Sequence, residues 1–194
     1  MLKKTALATF VVTSMFALTA NAQTGQAQTF KSELGPVTAT PVVQGLDHPW
    51  ALAFLPDKKG MLVTERPGHL RWVSPEGKLS APLAGVPKVW AKGQGGLLDV
   101  VLSPDFANDR LVYLSFAEEG QDGNAGTAVG RGRLSDDMSS LSDFKVIFRQ
   151  EPKLSTGNHF GSRLVFDRDG YLFIALGENN QRSTSQDLDK LQGK

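Results

Sequence analysis

From about Val37 onward, short apolar runs alternate with polar, turn-forming stretches in a pattern that recurs along the chain. Trp50 to Leu55 is one such run; Pro56-Asp57-Lys58-Lys59-Gly60 separates it from a second, Met61 to Thr64. Leu97 to Leu102 is followed by Pro104-Asp105 and Asn108-Asp109, then by Leu111 to Ser115. Leu164 to Phe166 leads through Asp167-Arg168-Asp169-Gly170 into Tyr171 to Leu176. Each copy reads as a hairpin: a β-rich run, a turn and a second β-rich run, with glycine supplying the positive φ a tight turn needs. Further strands are predicted at His69 to Val73, Thr127 to Leu134 and Phe144 to Phe148.

Short strands repeating every roughly 40 to 50 residues are the mark of propeller blades. The longer interval before the third copy would hold an inserted loop. Pro87 and Pro104 fall at strand ends, where a missing N–H costs little. No apolar stretch of helical spacing separates the copies, which argues against a βαβ fold. The expected fold is all-β: a β-propeller of four-stranded blades occupying residues 37–194, with about three blades present. Residues 23–36 are polar and aperiodic and read as a flexible or edge-lying lead-in. Gln186 to Gly193 is compatible with a helical turn or a loop. Closed propellers need at least about four blades, so the sequence is expected to be the incomplete N-terminal part of such a domain, with open sheet faces.

The first residues follow another pattern. Lys3 and Lys4 precede an apolar core from Ala6 to Leu18, and Ala20-Asn21-Ala22 forms an A-x-A cleavage site. This is a secretory signal peptide over residues 1–22, too short and wrongly flanked for a membrane anchor. A periplasmic destination without membrane insertion is expected. The chain has Cys 0, which excludes disulfides, thiolate metal ligands, cysteine nucleophiles and a lipidated cysteine. Its formal charge of +1 becomes −1 when Lys3 and Lys4 leave with the leader, and no basic run stands out. Nucleic acid is therefore an unlikely class of partner.

Candidate chemistry gathers at the ends of the third hairpin. Thr156-Gly157-Asn158-His159 precedes it and Gly177-Glu178-Asn179-Asn180-Gln181 follows it. The ends of a hairpin lie side by side, so His159 and Glu178 should meet at one sheet edge. A histidine beside a carboxylate can handle protons near neutral pH; on spacing alone, an ordinary surface histidine is the commoner reading. Gln94, in Gly93-Gln94-Gly95-Gly96, precedes the second copy as His159 precedes the third, and should project from the same face. It reads either as a turn residue or as a polar contact for a ligand. A phosphate loop is disfavoured because no helix follows. Three scattered histidines give no support for a zinc site, and no metal ligand is assigned. Asp99, Asp105, Asp109, Asp167 and Asp169 read as turn chemistry.

The phrases GNHFGSRLVFDRDGYLFIALGENNQR and QDLDKLQGK resemble the soluble aldose sugar dehydrogenases, quinoproteins that use pyrroloquinoline quinone. KGQGGLLDVVLSPDFANDRLVYLSFAE and GLDHPWALAFLPDKKGMLVTERPGHLRWV, earlier in the chain, occur in that family's order. The resemblance covers roughly residue 40 to the last residue and implies a six-bladed propeller. It implies oxidation of the C1 hydroxyl of an aldose to a lactone, with hydride passing to the quinone and electrons then to an external acceptor. By the same resemblance His159 is the general base, Gln94 and Gln181 contact the cofactor, and Asn158 and Glu178 contact the sugar. Asn158 stands where the glucose-oxidising branch has aspartate, so it offers an amide and no charge. Arg131, Arg133, Arg163 and Arg182 lie in no clamp motif of the family. The cationic clamp for the cofactor's carboxylates and the Ca2+ ligands are expected beyond residue 194.

Two other readings compete. One is a propeller binding module without catalysis, or a truncated gene product; the other is a calcium-dependent propeller lactonase, hinted at by Glu178 and Asn158. The leader generates a first prediction: periplasmic material should begin at Gln23 on N-terminal sequencing, and a cytoplasmic protein still carrying Met1 would remove the export claim.

Overall fold

The computed structural model describes residues 25–194; the expected leader lies outside the described residues. Those residues divide into two compact units that meet at Pro41 and Val42.

In the first unit, β1 (Gln28–Ser32) and β2 (Gly35–Ala39) pair antiparallel, in a register running from Gln28 opposite Ala39 to Ser32 opposite Gly35. The Thr29 and Thr38 hydroxyls meet across the pair at 2.9 Å, and Ser32 Oγ donates to the Gly35 carbonyl at 2.6 Å. Most of residues 23–36, expected as a flexible or edge-lying lead-in, fall within this hairpin. It escaped notice because both faces are exposed and Phe30 opposite Val37 is its one pair of large apolar residues, leaving no apolar alternation to read.

The second unit holds the three predicted copies as successive antiparallel sheets. β3 (Pro49–Phe54), β4 (Met61–Glu65) and β5 (His69–Val73) form the first. β6 (Leu97–Leu102), β7 (Leu111–Glu119), β8 (Ala125–Leu134) and β9 (Leu141–Arg149) form the second, with a one-turn helix, α1 (Phe106–Asp109), between β6 and β7. β10 (Gly161–Phe166) and β11 (Leu172–Leu176) form the third. Asp167 closes that hairpin: its Oδ1 accepts the N–H groups of Asp169 at 3.0 Å and Tyr171 at 2.8 Å, and Gly170 adopts φ 86.

Only the second sheet has the expected four strands. After β5 the chain does run alongside it, with Ser80 N–H donating to Trp72 O and Leu83 N–H to Leu70 O, both at 2.9 Å. Pro82 lacks the N–H between them, and the Ser80 hydroxyl takes the Trp72 N–H, so the ladder reduces to an isolated bridge at Leu79. Ala84 pairs instead with the second sheet, donating to Ser139 O at 2.9 Å and accepting from Leu141 N–H at 2.8 Å.

β7 shows how the sheets stack. Val112, Leu114 and Phe116 point into the core shared with Leu62 and Leu70 of the first sheet. The alternate residue Tyr113 packs with Leu164, Phe166 and Leu172 of the third, its ring meeting Phe166 edge-on at 5.1 Å. This is the period-two division of a strand buried on both faces.

The stacked sheets are also tied by polar atoms. The register of β3 on β4 and of β6 on β7 breaks at a bulge near the start of each inner strand, between Pro49 and Ala51 and between Leu97 and Val100. At each bulge a hydroxyl from the neighbouring strand accepts the freed N–H: Thr64 Oγ1 from Ala51 at 3.1 Å, Ser115 Oγ from Asp99 at 2.9 Å. Each hydroxyl then donates across to the next sheet, Thr64 to Leu98 O at 2.6 Å and Ser115 to Ser162 O at 2.7 Å. Asp99 completes the second tie and is no turn residue, contrary to the sequence reading. It is 1% exposed, accepts Leu164 N–H at 2.7 Å, and pairs with Arg163 at 2.8 Å.

Thr64→Val keeps the shape but leaves the half-buried Ala51 N–H and the buried Leu98 carbonyl without their partner. It should cost about 1–3 kcal/mol in denaturant unfolding, whereas exposed Ser183→Ala should stay within about 0.5 kcal/mol. Equal stabilities for the two variants would refute the tie.

Candidate active site

Three loops converge where the second and third sheets begin. The first, Gly93–Gly96, enters β6; the second, Thr156–Phe160, enters β10; the third, Gly177–Gln181, leaves β11. The second and third are pressed together by backbone contacts. Gly177 N–H donates to Phe160 O at 3.1 Å, and Asn179 N–H to His159 O at 3.3 Å. A Cβ on Gly177 would sit 1.8 Å from the His159 carbonyl oxygen, so this approach requires glycine. His159 has a left-handed backbone, φ 51, which turns the chain so that Phe160 is buried while the imidazole stays partly exposed. Phe160 packs against Trp90, ring centroids 6.1 Å apart, and fixes the loop from below.

The imidazole meets Glu178 as the hairpin argument requires, Nδ1 to Oε1 at 2.5 Å. A carboxylate accepts, so Nδ1 carries the proton in this contact and Nε2 keeps its lone pair when the ring is neutral. Side-chain exposure is 40% for His159 and 21% for Glu178, so solvent and small molecules reach the pair. The hydrogen bond from His159 is the largest influence holding the Glu178 carboxyl below the usual glutamate range, followed by its backbone N–H.

Gln94 joins the pair from the neighbouring sheet. Its Oε1 accepts the His159 backbone N–H at 2.9 Å, and its own N–H donates to Gly157 O at 2.9 Å. Among the described residues the side-chain amide nitrogen of Gln94 has no hydrogen-bond acceptor, which leaves it as a donor for a ligand. Asn158 enters through its backbone, its carbonyl accepting from Asn179 Nδ2 at 3.0 Å. Gln181 closes the third loop, its N–H donating to Glu178 O at 2.7 Å, with its side chain exposed and not drawn to the histidine.

A histidine–carboxylate pair is not by itself diagnostic here. His48 contacts Asp47, and His69 lies 3.2 Å from Glu65. Glu65 is fully buried and also bonded by Arg71 and the Asp47 N–H, which makes it a structural anchor. His159 differs in having a second sheet's glutamine on its own peptide and loops pressed around it.

Among the described residues, none of the four arginines singled out in the sequence is hydrogen-bonded to His159 or Glu178. Arg131 lies over the Tyr113 ring, Arg163 pairs with Asp99, and Arg133 and Arg182 are exposed. Two cations the sequence reading passed over flank the Gln94 loop. Arg66 donates to Gly93 O at 2.5 Å, and Lys92 lies 5.8 Å from the Trp90 ring centroid. Lys92, two positions before the glycine-flanked glutamine, was visible in the sequence, whereas Arg66 comes from a distant part of the chain and gave no such signal. Among the described residues no three His, Asp or Glu side chains group as a metal site, and no helix is long and apolar enough to cross a membrane.

The sequence profile of the Glucose / Sorbosone dehydrogenase family matches residues 46–194. The chain is 73% identical over 150 residues to aldose sugar dehydrogenase YliI of Escherichia coli K12, covering 77% of this chain and 40% of that protein. Among solved structures, it is similar to the apo-form soluble aldose sugar dehydrogenase of Escherichia coli, with TM-score 0.75 and 72% identity over 77% of this chain and 43% of the other. The pyrroloquinoline-quinone-bound aldose sugar dehydrogenase of Streptomyces coelicolor superposes with TM-score 0.72 at 30% identity, over 88% of this chain and 48% of that one. The chain thus spans about two fifths of the curated relative, and its stacked sheets are blades of the propeller fold these dehydrogenases share.

The lowered Glu178 value fixes the sign of a pH effect. A group whose value drops on folding stabilises the folded state above its unfolded value, and that contribution vanishes as pH falls through the folded one. The stability gap between the parent protein and Glu178→Gln should therefore be widest near neutrality and shrink through the acid range below the ordinary glutamate value. A gap that stays constant down to the acid-unfolded state would remove the ionised His159–Glu178 contact.

Proposed function

Because the chain belongs to the glucose/sorbosone dehydrogenase family, we propose that it forms the proton-handling edge of an aldose dehydrogenase site, with His159 as general base. The observation that carries the reading is the convergence of Glu178 on His159 Nδ1 and of Gln94 on the His159 peptide. With Nδ1–H committed to Glu178, Nε2 is the nitrogen that takes the C1 hydroxyl proton of the sugar. Glu178, ionised at neutral pH, then stabilises the imidazolium, and its hydrogen bond keeps the ring from rotating.

Pyrroloquinoline quinone, when bound, supplies the acceptor for the hydride leaving C1. The residues present fit one edge of such a group. Gln94 offers a free amide N–H to a quinone oxygen, and Lys92 and Arg66 place positive charge beside the same loop for a carboxylate. Asn158 and Gln181 are assigned to the rim, Asn158 towards the sugar and Gln181 towards the cofactor, from a loop position that leaves both amides available. The products are a lactone, a proton held on His159 and a reduced cofactor that passes its electrons to an external acceptor. Export by the 1–22 leader to the periplasm belongs to the same proposal.

The test uses the full-length protein loaded with pyrroloquinoline quinone and an aldose, with cofactor reduction followed by stopped-flow absorbance. His159→Ala should lower the reduction rate by roughly 10²–10⁴ while loading stays near the parent level. His48→Ala and His69→Ala should leave the rate near that of the parent. A fully loaded His159→Ala protein reducing its cofactor at the parent rate would move the base elsewhere, with Glu178 the next candidate.

A further inference from the structure

Behind the pair lies a buried amide chain that the proposed reaction does not use. Gln150 directly follows β9 and is fully buried; Asn179 is 1% exposed. Gln150 is anchored on β8, where its Oε1 accepts Thr127 N–H at 3.2 Å and its own N–H donates to Thr127 O at 2.8 Å. Its Nε2 donates to Asn179 Oδ1 at 2.6 Å. Asn179 passes the connection on: Nδ2 donates to Asn158 O at 3.0 Å, and its backbone N–H to His159 O at 3.3 Å. Thr156 Oγ1 donates to the Asn179 carbonyl at 2.9 Å.

Asn179 therefore grips the peptides on both sides of His159 and is itself the residue after Glu178. An amide suits this place for a stated reason. The position needs an acceptor towards Gln150 and a donor towards the Asn158 carbonyl at once, and among side chains of this size only asparagine supplies both. Its backbone is left-handed, φ 48, a conformation asparagine tolerates better than most residues. Thr127 adds a parallel strut, its Oγ1 donating to Phe160 O at 2.8 Å.

We propose that Asn179, held by Gln150, is a positioning residue that sets the separation of His159 and Glu178 from the rigid strand β8. The inference rests on the dehydrogenase reading for its catalytic consequence, not for its structural one. If the hydrogen bonds of the side chain matter, Asn179→Gly should reveal it, because glycine keeps the left-handed backbone and removes only the amide. Asn179→Asp keeps the acceptor for Gln150 and removes the donor to Asn158.

Both variants are made in the full-length protein, with three measurements on each. These are the Glu178 carboxyl titration by carbon NMR, the thermal midpoint, and kcat and KM for an aldose with cofactor loading equalised. The expected result for Asn179→Gly is a Glu178 titration moved up towards the ordinary carboxylate range, since the histidine no longer meets it squarely. The turnover kcat should fall by up to about 10²-fold, the scale of a misplacement near 1 Å, with KM changed less than about threefold. Asn179→Asp adds a charge that itself raises the Glu178 value, so it is read by the kcat-against-KM split alone, which should change as for glycine, and it serves if the glycine variant does not fold. A lowered thermal midpoint with an unmoved Glu178 titration and parent kcat would overturn the proposal, leaving Asn179 a merely structural residue. A moved titration in a protein whose parent oxidises no aldose would support the positioning role and refute the dehydrogenase reading.

Discussion

The candidate site depends on how the second sheet is held against the third, because Gln94 precedes β6 and His159 precedes β10. No ladder of backbone hydrogen bonds runs between those sheets, and apolar packing alone leaves two surfaces free to slide by fractions of an ångström. The polar seam removes that freedom. Ser115 takes the Asp99 N–H freed by the β6 bulge and gives its proton to Ser162 O, while the carboxylate of the same Asp99 grips Leu164 N–H and Arg163. A buried carboxylate is costly unless charge-paired and hydrogen-bonded, and Asp99 has both partners on the opposite sheet. The seam lies a few residues from His159, so its registry is passed directly to the Gln94–His159 contact.

Much of this was legible in the sequence, for reasons particular to each element. The Asp167–Gly170 turn between two β-rich runs defines a hairpin, and a hairpin places its outer ends together; His159 and Glu178 follow from that geometry. The equivalence of Gln94 and His159 was visible as a shared position before corresponding strands. The bond from the glutamine oxygen to the histidine peptide was not, since it depends on the relative setting of two sheets. Asp99 looked like turn chemistry because a bulge leaves no trace in the alternation of apolar and polar residues. The β1–β2 hairpin was hidden because both its faces are exposed, and the strand after β5 is interrupted because the Ser80 hydroxyl and Pro82 break the ladder, which hydrophobic period does not reveal. Gln150 and Asn179 carry no motif, and only burial with full satisfaction of their amides marks them out.

All three histidines have a carboxylate neighbour, which shows how little such a pair means alone. At His69 the carboxylate is sequestered and shared with a guanidinium, so its charge is already spent on holding the first sheet. At His48 both partners are largely exposed, where water weakens their attraction. Only His159 combines access from solvent with a carboxylate partner and a peptide fixed by a second sheet. Proton transfer needs both conditions, because an unreachable base cannot meet a substrate and a loose one cannot be aligned with it.

The near-contact of Gly177 with the His159 carbonyl bears on how such a site can diversify. No side chain fits between the two backbones, so the position is closed to gradual change: even one methyl group would push the loops apart. Sequence drift is thereby channelled to the loop rim, where Asn158, Asn180 and Gln181 have side chains that can vary without moving the peptide behind them. On the proposed dehydrogenase reading, a library built to alter sugar preference while keeping the His159–Glu178 geometry would randomise that rim and hold Gly177 constant. The same backbone contact that fixes the chemistry thus separates the part of the surface that can evolve from the part that cannot.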